Sequence, residues 1–225
     1  MRTSRRLLWA LAVVTLAISA GAAGCDSLYY KTMKKFGVEK RDILVKRVRD
    51  ARKSQEEAKE EFRTALDRFK AVVDLPGGSL EDKYKTLERE LNRSEDRARD
   101  VHDRIQAVRD VSKDLFNEWQ KELDQYSDRR LRAESERQLR DTRRQSEALI
   151  ALMAQAEARI PPVLKPLRDR VLFLKHNLNA RAVGALTSEL VSVRGNVDAL
   201  IADLDRAISE ADTFIKSMDT ADSAK

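Results

Sequence analysis

An uninterrupted stretch from Ser79 to Ile160 constrains the fold of this chain more than any other feature. It contains no Gly and no Pro, and its apolar and small side chains recur at steps of three and four, which is the spacing of one helix face. The recurring positions are Leu80, Tyr84, Leu87, Leu91, Ala98, Val101, Ile105, Val108, Leu115, Trp119, Leu123 and Tyr126. A helix of this length would extend about 120 Å at about 1.5 Å per residue, so the remaining chain must pack along it.

The composition also favours helices. Charged residues make up 36% of the 225 residues and aromatic residues 5%, with seven Gly and four Pro. This balance is typical of long solvated helices rather than of sheets or barrels. The predicted fold class is therefore all-α, with elongated, antiparallel, coiled-coil-like helical hairpins or a bundle built on one long central helix.

The first twenty-four residues have the pattern of a secretory signal peptide. Three basic residues precede an apolar run from Leu7 to Val14, and small residues follow it, as in secretory signals. The basic residues are Arg2, Arg5 and Arg6. The run ends in Ala22-Ala23-Gly24-Cys25, which resembles the lipobox of bacterial lipoproteins and implies that Cys25 is acylated. An uncleaved membrane anchor and an ordinary signal peptide are the alternatives.

The predicted cleavage changes the charge and restricts the partners. It removes three arginines and no acidic residue, so the formal charge falls from +6 to +3. A nearly balanced secreted chain is a poor nucleic-acid binder. Acylation of Cys25, the only cysteine, also excludes disulfides. We expect a periplasm-facing lipoprotein of the bacterial envelope, bound to a membrane through its lipid and to an envelope protein or a second copy. Asp26 after the cysteine favours the inner membrane.

The mature chain is predicted to form one helical domain over residues 40–218. Residues 25–39 would form a membrane-proximal tether and 219–225 a frayed tail. The predicted helices cover about 40–73, 80–160 and 166–218. The first helix has a coiled-coil seam with alternating steps of four and three, formed by Leu44, Val48, Ala51, Gln55, Ala58, Phe62, Ala65, Phe69 and Val72.

Three interruptions organise these helices. Leu75–Gly78 contains Pro and two Gly before a potential N-cap, Ser79, so the first two helices should be antiparallel. At Ser127–Arg130 the seam loses phase before it resumes at Leu131. The helix either continues there as a rod or breaks, with Ser127 or Asp128 as a cap, and a break would give a four-helix bundle. At Ile160–Pro166 the consecutive prolines predict that the chain reverses.

Two polar clusters are candidate sites. The first interrupts an apolar segment and consists of Lys175, His176, Asn177 and Asn179. It is either a ligand site, a polar layer that sets helix register, or a helix junction capped by Asn177 or Asn179.

The second cluster has a local excess of four positive charges that suits anionic lipid or an acidic partner, although an ordinary solvated face has the same pattern. It consists of Arg129, Arg130, Arg132, Arg137, Arg140, Arg143 and Arg144. Phe116, Trp119 and Tyr126 fall near the seam and are predicted core residues.

Catalytic and metal-binding motifs are not found in the sequence. His102 and His176 are the only histidines, and neither follows a Glu by three residues, as the di-iron bundles require. There is no Gly-flanked nucleophile and no phosphate-binding glycine loop. We therefore expect a protein without enzymatic activity, cofactor or metal.

Four peptides resemble a known family. They are Lys40-Arg41-Asp42-Ile43-Leu44-Val45, Leu115-Phe116-Asn117-Glu118-Trp119, Pro162-Val163-Leu164 and Val171-Leu172-Phe173-Leu174-Lys175-His176-Asn177-Leu178-Asn179-Ala180. They are similar to the bacterial DUF2959 family over nearly the whole mature chain. The resemblance implies a helical, signal-bearing protein and carries no established activity or catalytic residue.

The expected function is that of a lipid-anchored periplasmic scaffold, adaptor or spacer. A bundle that binds a lipid or small molecule through the Lys175–Asn179 cluster is one alternative. A membrane-shape-sensing surface around Arg129–Arg144 is another.

Overall fold

The computed structural model describes the backbone of residues 25–74, 79–177 and 180–223, and side chains within 40–72, 79–177 and 192–220. The helices are α1 (Cys25–Asp74), α2 (Leu80–Glu122), a 3₁₀ turn (Leu123–Gln125), α3 (Arg129–Ala158), α4 (Ile160–His176) and α5 (Ala180–Ser223). These ranges contain no strand, and the all-α prediction is confirmed. The chain divides into two units, residues 1–42 and 43–225, and the packing below is that of the second.

Helix α1 runs antiparallel to α2. Glu57 accepts from Arg97 at 2.9 Å, and Glu90 accepts from Arg68 at 2.6 Å, so residue numbers rise along α1 as they fall along α2. The predicted Leu75–Gly78 turn lies outside the described residues. Ser79 is the N-cap residue of α2 through its backbone, because its carbonyl accepts from Lys83 at 3.1 Å, without a side-chain cap bond.

Helix α1 also runs antiparallel to α5. Arg52 Nε donates to Asp212 at 2.6 Å, and Lys59 Nζ pairs with Asp205 at 3.0 Å. Near the end of α5, Asp219 accepts from Arg49 at 2.9 Å, and the helix extends to Ser223, beyond the predicted limit of order at Met218. The first and last helices of the domain are therefore neighbours.

Helices α3 and α4 follow one another along α2. Ser112 contacts Ser146 at 3.0 Å in α3, and Glu95 accepts from Arg168 at 2.7 Å in α4. Because falling numbers in α2 match rising numbers across both helices, α3 and α4 run in the same direction. Together they form one leg of an up-down-up-down four-helix bundle with α1, α2 and α5.

The predicted chain reversal at Ile160–Pro166 is wrong. Pro161 and Pro162 lie in the first turn of α4, where backbone N–H groups have no intrahelical acceptor and none is lost. Pro166 lies inside the helix and has no backbone N–H, so the carbonyl four residues earlier lacks the donor that any other residue would supply. That carbonyl belongs to Pro162, and Asn196 Nδ2 of α5 donates to it at 3.3 Å. The chain reverses after His176 instead, between α4 and α5.

The long helix from residue 80 to 160 is not continuous. It ends at Glu122, and α3 begins after Asp128. The Asp128 carboxylate accepts from the backbone N–H of Arg130 at 2.7 Å and of Leu131 at 3.3 Å, as an N-cap does. The break at Ser127–Arg130 therefore selects the compact bundle over the rod.

The core follows the predicted seams closely. All nine seam residues of α1 are buried. In α2 and α3 the largest fully buried side chains include Leu87, Ile105, Leu149 and Met153. Leu131, predicted to resume the seam, is 58% exposed, because it lies in the first turn of α3 and not within the bundle. Within the described ranges, no helix is both long enough and apolar enough to cross a membrane.

Candidate interaction surfaces

The Lys175–Asn179 cluster ends a helix. Asn177 donates from its backbone N–H to Leu174 O at 3.2 Å and from Nδ2 to Phe173 O at 3.0 Å, so it closes the last turn of α4. Lys175 and His176 are exposed. Asn177 is thus the C-cap residue of α4, the position that the helix-junction alternative gives it. Asn179 lies outside the described residues.

A surface groove lies one to two turns before this junction. Its volume is about 410 Å³, and it is lined by Lys165, Pro166, Asp169, Arg170 and Phe173. The Phe173 side chain is 45% exposed, and that of the neighbouring Leu172 is 55% exposed. Two adjacent exposed apolar side chains beside a groove form a candidate surface for contact with another molecule.

The groove lies at the end of the bundle away from Ile43. Arg168, within the same helix, pairs with Glu95 of α2, and Glu90 of α2 pairs with Arg68 of α1. Through α2, these pairs place α4 at the same height along the bundle as the late part of α1. We call the exposed Leu172 and Phe173 with the adjoining groove the distal surface. The sequence analysis did not identify the distal surface. The signal that could have found it is a pair of apolar residues, Leu172 and Phe173, between the buried positions Val171 and Leu174.

The seven arginines of the second cluster do not act as one patch. Four of them pair with carboxylates in the same region. The pairs are Arg132 with Asp124, Arg137 with Glu134, Arg140 with Glu136, and Arg144 with Asp141. Arg143 lies 5.5 Å from the centroid of the Phe116 ring and donates to Phe116 O at 3.3 Å, so it packs onto α2. Most of this stretch is therefore a solvated, internally paired helix face.

Arg129 and Arg130 differ from the other five arginines. Both are exposed, and within the described part of the chain neither side chain has an ion pair among the observed pairs. They are the first residues of α3 and lie directly after the cap residue Asp128. The excess positive charge of the cluster is thus concentrated at the turn between α2 and α3.

The three predicted core aromatics have different positions. Phe116 is buried, and Trp119 packs against the core while its Nε1 donates to Ser135 Oγ at 2.8 Å. Tyr126 is 41% exposed, so its assignment to the core was wrong. It follows the 3₁₀ turn, where the helical spacing that the prediction used no longer applies.

Two buried carboxylates hold helices together. Asp203 of α5 is 4% exposed and accepts from Arg159 Nε at 2.9 Å, which ties α5 to the residue between α3 and α4. Fully buried Glu90 accepts from Arg68 at 2.6 Å and from Arg93 at 3.4 Å. An arginine pairs with each carboxylate, so both lie at contacts between helices. Both arginine contacts of Glu90 are made by Oε1, and its buried Oε2 has no hydrogen-bond partner among the described residues.

The resolved pKa shifts also belong to structural pairs. The side-chain hydrogen bond to Asp212 raises the pKa of Arg52, and hydrogen bonds to Glu56 and Asp205 raise that of Lys59. In the first turn of α2, the hydrogen bond from Lys85 lowers the pKa of Glu81. In each case the hydrogen bond stabilises the charged form of the side chain. None of these groups belongs to the distal surface.

An acidic groove runs along α1. It has a volume of about 300 Å³ and is lined by Glu56, Glu57, Glu60, Glu61, Thr64 and Arg97. Arg97 pairs with Glu57, and Lys59 pairs with Glu56. Across the residues that the structure describes, no group of three or more His, Cys, Asp or Glu side chains is arranged to hold a metal ion.

A comparison with protein families finds a match over most of the chain. A model described as a protein of unknown function, DUF2959, matches residues 29–218. This protein belongs to the DUF2959 family. The predicted resemblance is therefore confirmed, and the match covers the whole bundle from α1 to the buried Met218 of α5. No curated protein matches this DUF2959 chain.

Proposed function

We propose that this DUF2959 protein is a lipid-anchored, non-enzymatic adaptor of the bacterial cell envelope. Cys25 would carry the lipid, and the bundle would present the distal surface to a protein partner on the periplasmic side. The sequence supports the anchor through the lipobox-like Ala22–Cys25. The signal peptide lies outside the described residues, and Cys25 is the first residue of α1.

The observation that carries the adaptor role is the exposed apolar pair Leu172 and Phe173 beside a groove. Exposing such side chains without a partner costs the free energy of apolar hydration, about 25 cal/mol per Å². Burying them against another molecule recovers it. The groove is lined by two cations, Lys165 and Arg170, and one anion, Asp169, and Lys175 is exposed nearby. Because this surface has an excess of positive charge, the complementary partner is an envelope protein with an apolar side chain inside an acidic rim.

The bundle end that carries the distal surface suits this role. The chain enters the bundle at Ile43 from the segment that begins at the proposed anchor, and the distal surface lies at the opposite end of the bundle. The distal surface is therefore not at the end where the anchored segment enters. The polar cluster supports this proposal over ligand binding, because Asn177 caps α4 and none of Lys175, His176 and Asn177 lines the groove.

The anchor is tested by Cys25→Ser. We expect the native mature chain to fractionate with membranes and to carry a fatty-acylated amino-terminal peptide in mass spectrometry. The Cys25→Ser chain should lose both properties. Membrane association that is unchanged in Cys25→Ser would contradict lipid anchoring at this residue.

The adaptor role is tested by site-specific photocross-linking in intact cells. A photoreactive amino acid at Phe173 should yield a discrete adduct with an envelope protein, and Leu172→Ser should reduce that adduct. The matched control places the same probe at Arg104, an exposed residue of α2. Identical adducts from both positions, or none from Phe173, would contradict docking at the distal surface. An adduct of twice the chain mass would identify the partner as a second copy.

A further inference from the structure

The turn between α2 and α3 carries two large apolar side chains in solvent. We call residues 123–131 the hairpin tip. Within it Tyr126 is 41% exposed and Leu131 is 58% exposed, the highest value among the exposed large hydrophobic residues. Their exposure has no explanation in the packing of the bundle, because Leu123 is the last buried residue before the turn and Ser135 the first after it.

The hairpin tip is a structured element. Asp128 caps α3 through two backbone N–H groups, and Arg132 bridges to Asp124 at 2.9 Å across the turn. Below the tip, Trp119 donates to Ser135 at 2.8 Å and links the two helices. Tyr126 and Leu131 are thus held outside the core by defined contacts on both sides of the turn.

The acidic side chains of the tip have partners within the protein, whereas its two arginines face solvent. The carboxylate of Asp124 pairs with Arg132, and that of Asp128 faces the amino-terminal N–H groups of α3, which carry the positive end of the helix dipole. Both acidic groups are therefore engaged. Arg129 and Arg130 remain as exposed cations between the two apolar side chains. Aromatic and aliphatic side chains next to arginines match the interface of an anionic bilayer, which has phosphates above acyl chains.

The tip lies at the same end of the bundle as Ile43. The pairs Glu57–Arg97 and Arg68–Glu90 show that the end of α2 lies on the side of Ile43, where the chain enters from Cys25. Ile43 is itself 42% exposed.

We propose that the hairpin tip is a second membrane contact, in which Tyr126 and Leu131 enter the interface of an anionic phospholipid bilayer while Arg129 and Arg130 bind headgroup phosphates. The proposal rests on the proposed function in one respect, which is that the chain anchored at Cys25 enters the bundle at this end. A lipid at the amino terminus alone leaves the bundle free to tilt. A second contact fixes its orientation and keeps the distal surface directed away from the bilayer.

The test uses the full mature chain with Cys25→Ser, so that acylation does not contribute. Flotation with vesicles of phosphatidylcholine alone is compared with vesicles that also contain phosphatidylglycerol. We expect binding to the anionic vesicles only, and Arg129→Gln with Arg130→Gln should weaken it about 25-fold, since each arginine near an anionic surface contributes about fivefold. Far-UV circular dichroism checks that helix content is unchanged.

The matched control is Arg137→Gln with Arg144→Gln. It removes the same charge from exposed positions of the same helix, but each arginine is paired with a carboxylate of α3. Because both lie further along α3 than the tip and salt screens charges beyond about 10 Å, we expect less than about a threefold loss. Equal losses in both double variants, or equal binding to neutral and anionic vesicles, would overturn the proposal.

A second measurement reports the depth of the tip. Tyr126→Trp places an indole at the tip, and lipids brominated on the acyl chain should quench its fluorescence in anionic vesicles. The parent chain, whose mature part contains only the packed Trp119, should show no quenching. Absence of quenching in Tyr126→Trp would overturn the insertion of this residue. Neither experiment depends on acylation at Cys25 or on cross-linking at Phe173, so failure of the tip and failure of the anchored adaptor are distinguishable.

Discussion

Gln55 is a polar residue at a seam position of α1, between Ala51 and Ala58. Its side chain is fully buried, and neither amide atom has a hydrogen-bond partner among the described residues. A buried amide without a partner costs about 1–3 kcal/mol. In coiled coils such a residue lowers stability while it selects one register.

We therefore predict that Gln55→Leu raises the free energy of unfolding by about 1–3 kcal/mol. Urea denaturation followed by circular dichroism measures the change. Gln55→Ala is the comparison, because it also removes the amide but leaves a cavity. Its free energy of unfolding should rise less than that of Gln55→Leu. A destabilised Gln55→Leu would show that the amide is satisfied in solution.

Asp128 determines where α3 begins. We predict that Asp128→Ala lowers the free energy of unfolding by about 1 kcal/mol, within a range of about 0.5–2 kcal/mol, because it removes the acceptor for two backbone N–H groups. The control is Asp114→Ala at an exposed position inside α2, where no cap is lost. Thermal or urea unfolding of both variants gives the comparison, and equal effects would argue against the cap.

Residue assignments succeeded where the helical period continued and failed where it stopped. All nine seam positions of α1 are buried because no Gly or Pro interrupts that segment. Tyr126 and Leu131 were assigned to the core by the same spacing, but the 3₁₀ turn and the cap at Asp128 change the direction of their side chains. The loss of phase at Ser127–Arg130 indicated where the pattern is interrupted, but it did not decide between a continuous rod and a break.

At the scale of whole elements, α4 shows how a tertiary contact allows a proline inside a helix. Pro166 deprives the Pro162 carbonyl of its normal donor, and Asn196 of α5 replaces it at 3.3 Å. Pro161 and Pro162 predicted an interruption of the helix, and one is present, since α3 ends at Ala158 and α4 begins at Ile160. The direction of the chain after them depends on the packing of α4 against α2 and α5.

This arrangement predicts coupling between two residues on different helices. Asn196→Ala should cost about 0.5–1.5 kcal/mol, the contribution of one hydrogen bond. In a Pro166→Ala background the new backbone N–H donates to the Pro162 carbonyl, so the cost of Asn196→Ala should fall to less than half. A double-mutant cycle by urea denaturation measures the difference. Equal costs in the two backgrounds would show that Asn196 acts elsewhere.

At the scale of the molecule, ion pairs join the first and last helices of the bundle. Lys59 of α1 contacts Glu56 at 2.7 Å and Asp205 of α5 at 3.0 Å, and these hydrogen bonds raise its pKa above the ordinary value of 10.5. A cation with a raised folded pKa stabilises fully below its unfolded pKa, and its contribution is lost as pH rises through the folded value.

We therefore predict that Lys59→Met lowers the free energy of unfolding by less than about 1 kcal/mol, because the carboxylate partners are partly exposed. The loss should be constant between about pH 6 and 9 and should shrink above about pH 10.5. Lys59→Arg is the control, since its guanidinium stays charged in that range. The free energy of unfolding of Lys59→Arg should therefore stay above that of Lys59→Met at high pH. Urea midpoints across the pH series measure both, and a loss that grows at high pH would contradict the assignment.

The sequence by itself determined that this chain is helical, which faces of its helices are buried, and which family it resembles. Those properties depend on spacing and composition within each segment, and the all-α fold and the DUF2959 match confirm them.

Only the tertiary structure decided that the stretch from Ser79 to Ile160 is two helices rather than one rod, that α3 and α4 form a single leg, and that the chain reverses after His176. The physical reason is that an amphipathic pattern states that a face must be covered without stating what covers it. What covers it depends on partners distant in sequence, such as Ser146 of α3 beside Ser112 of α2 and Asn196 of α5 beside Pro162 of α4.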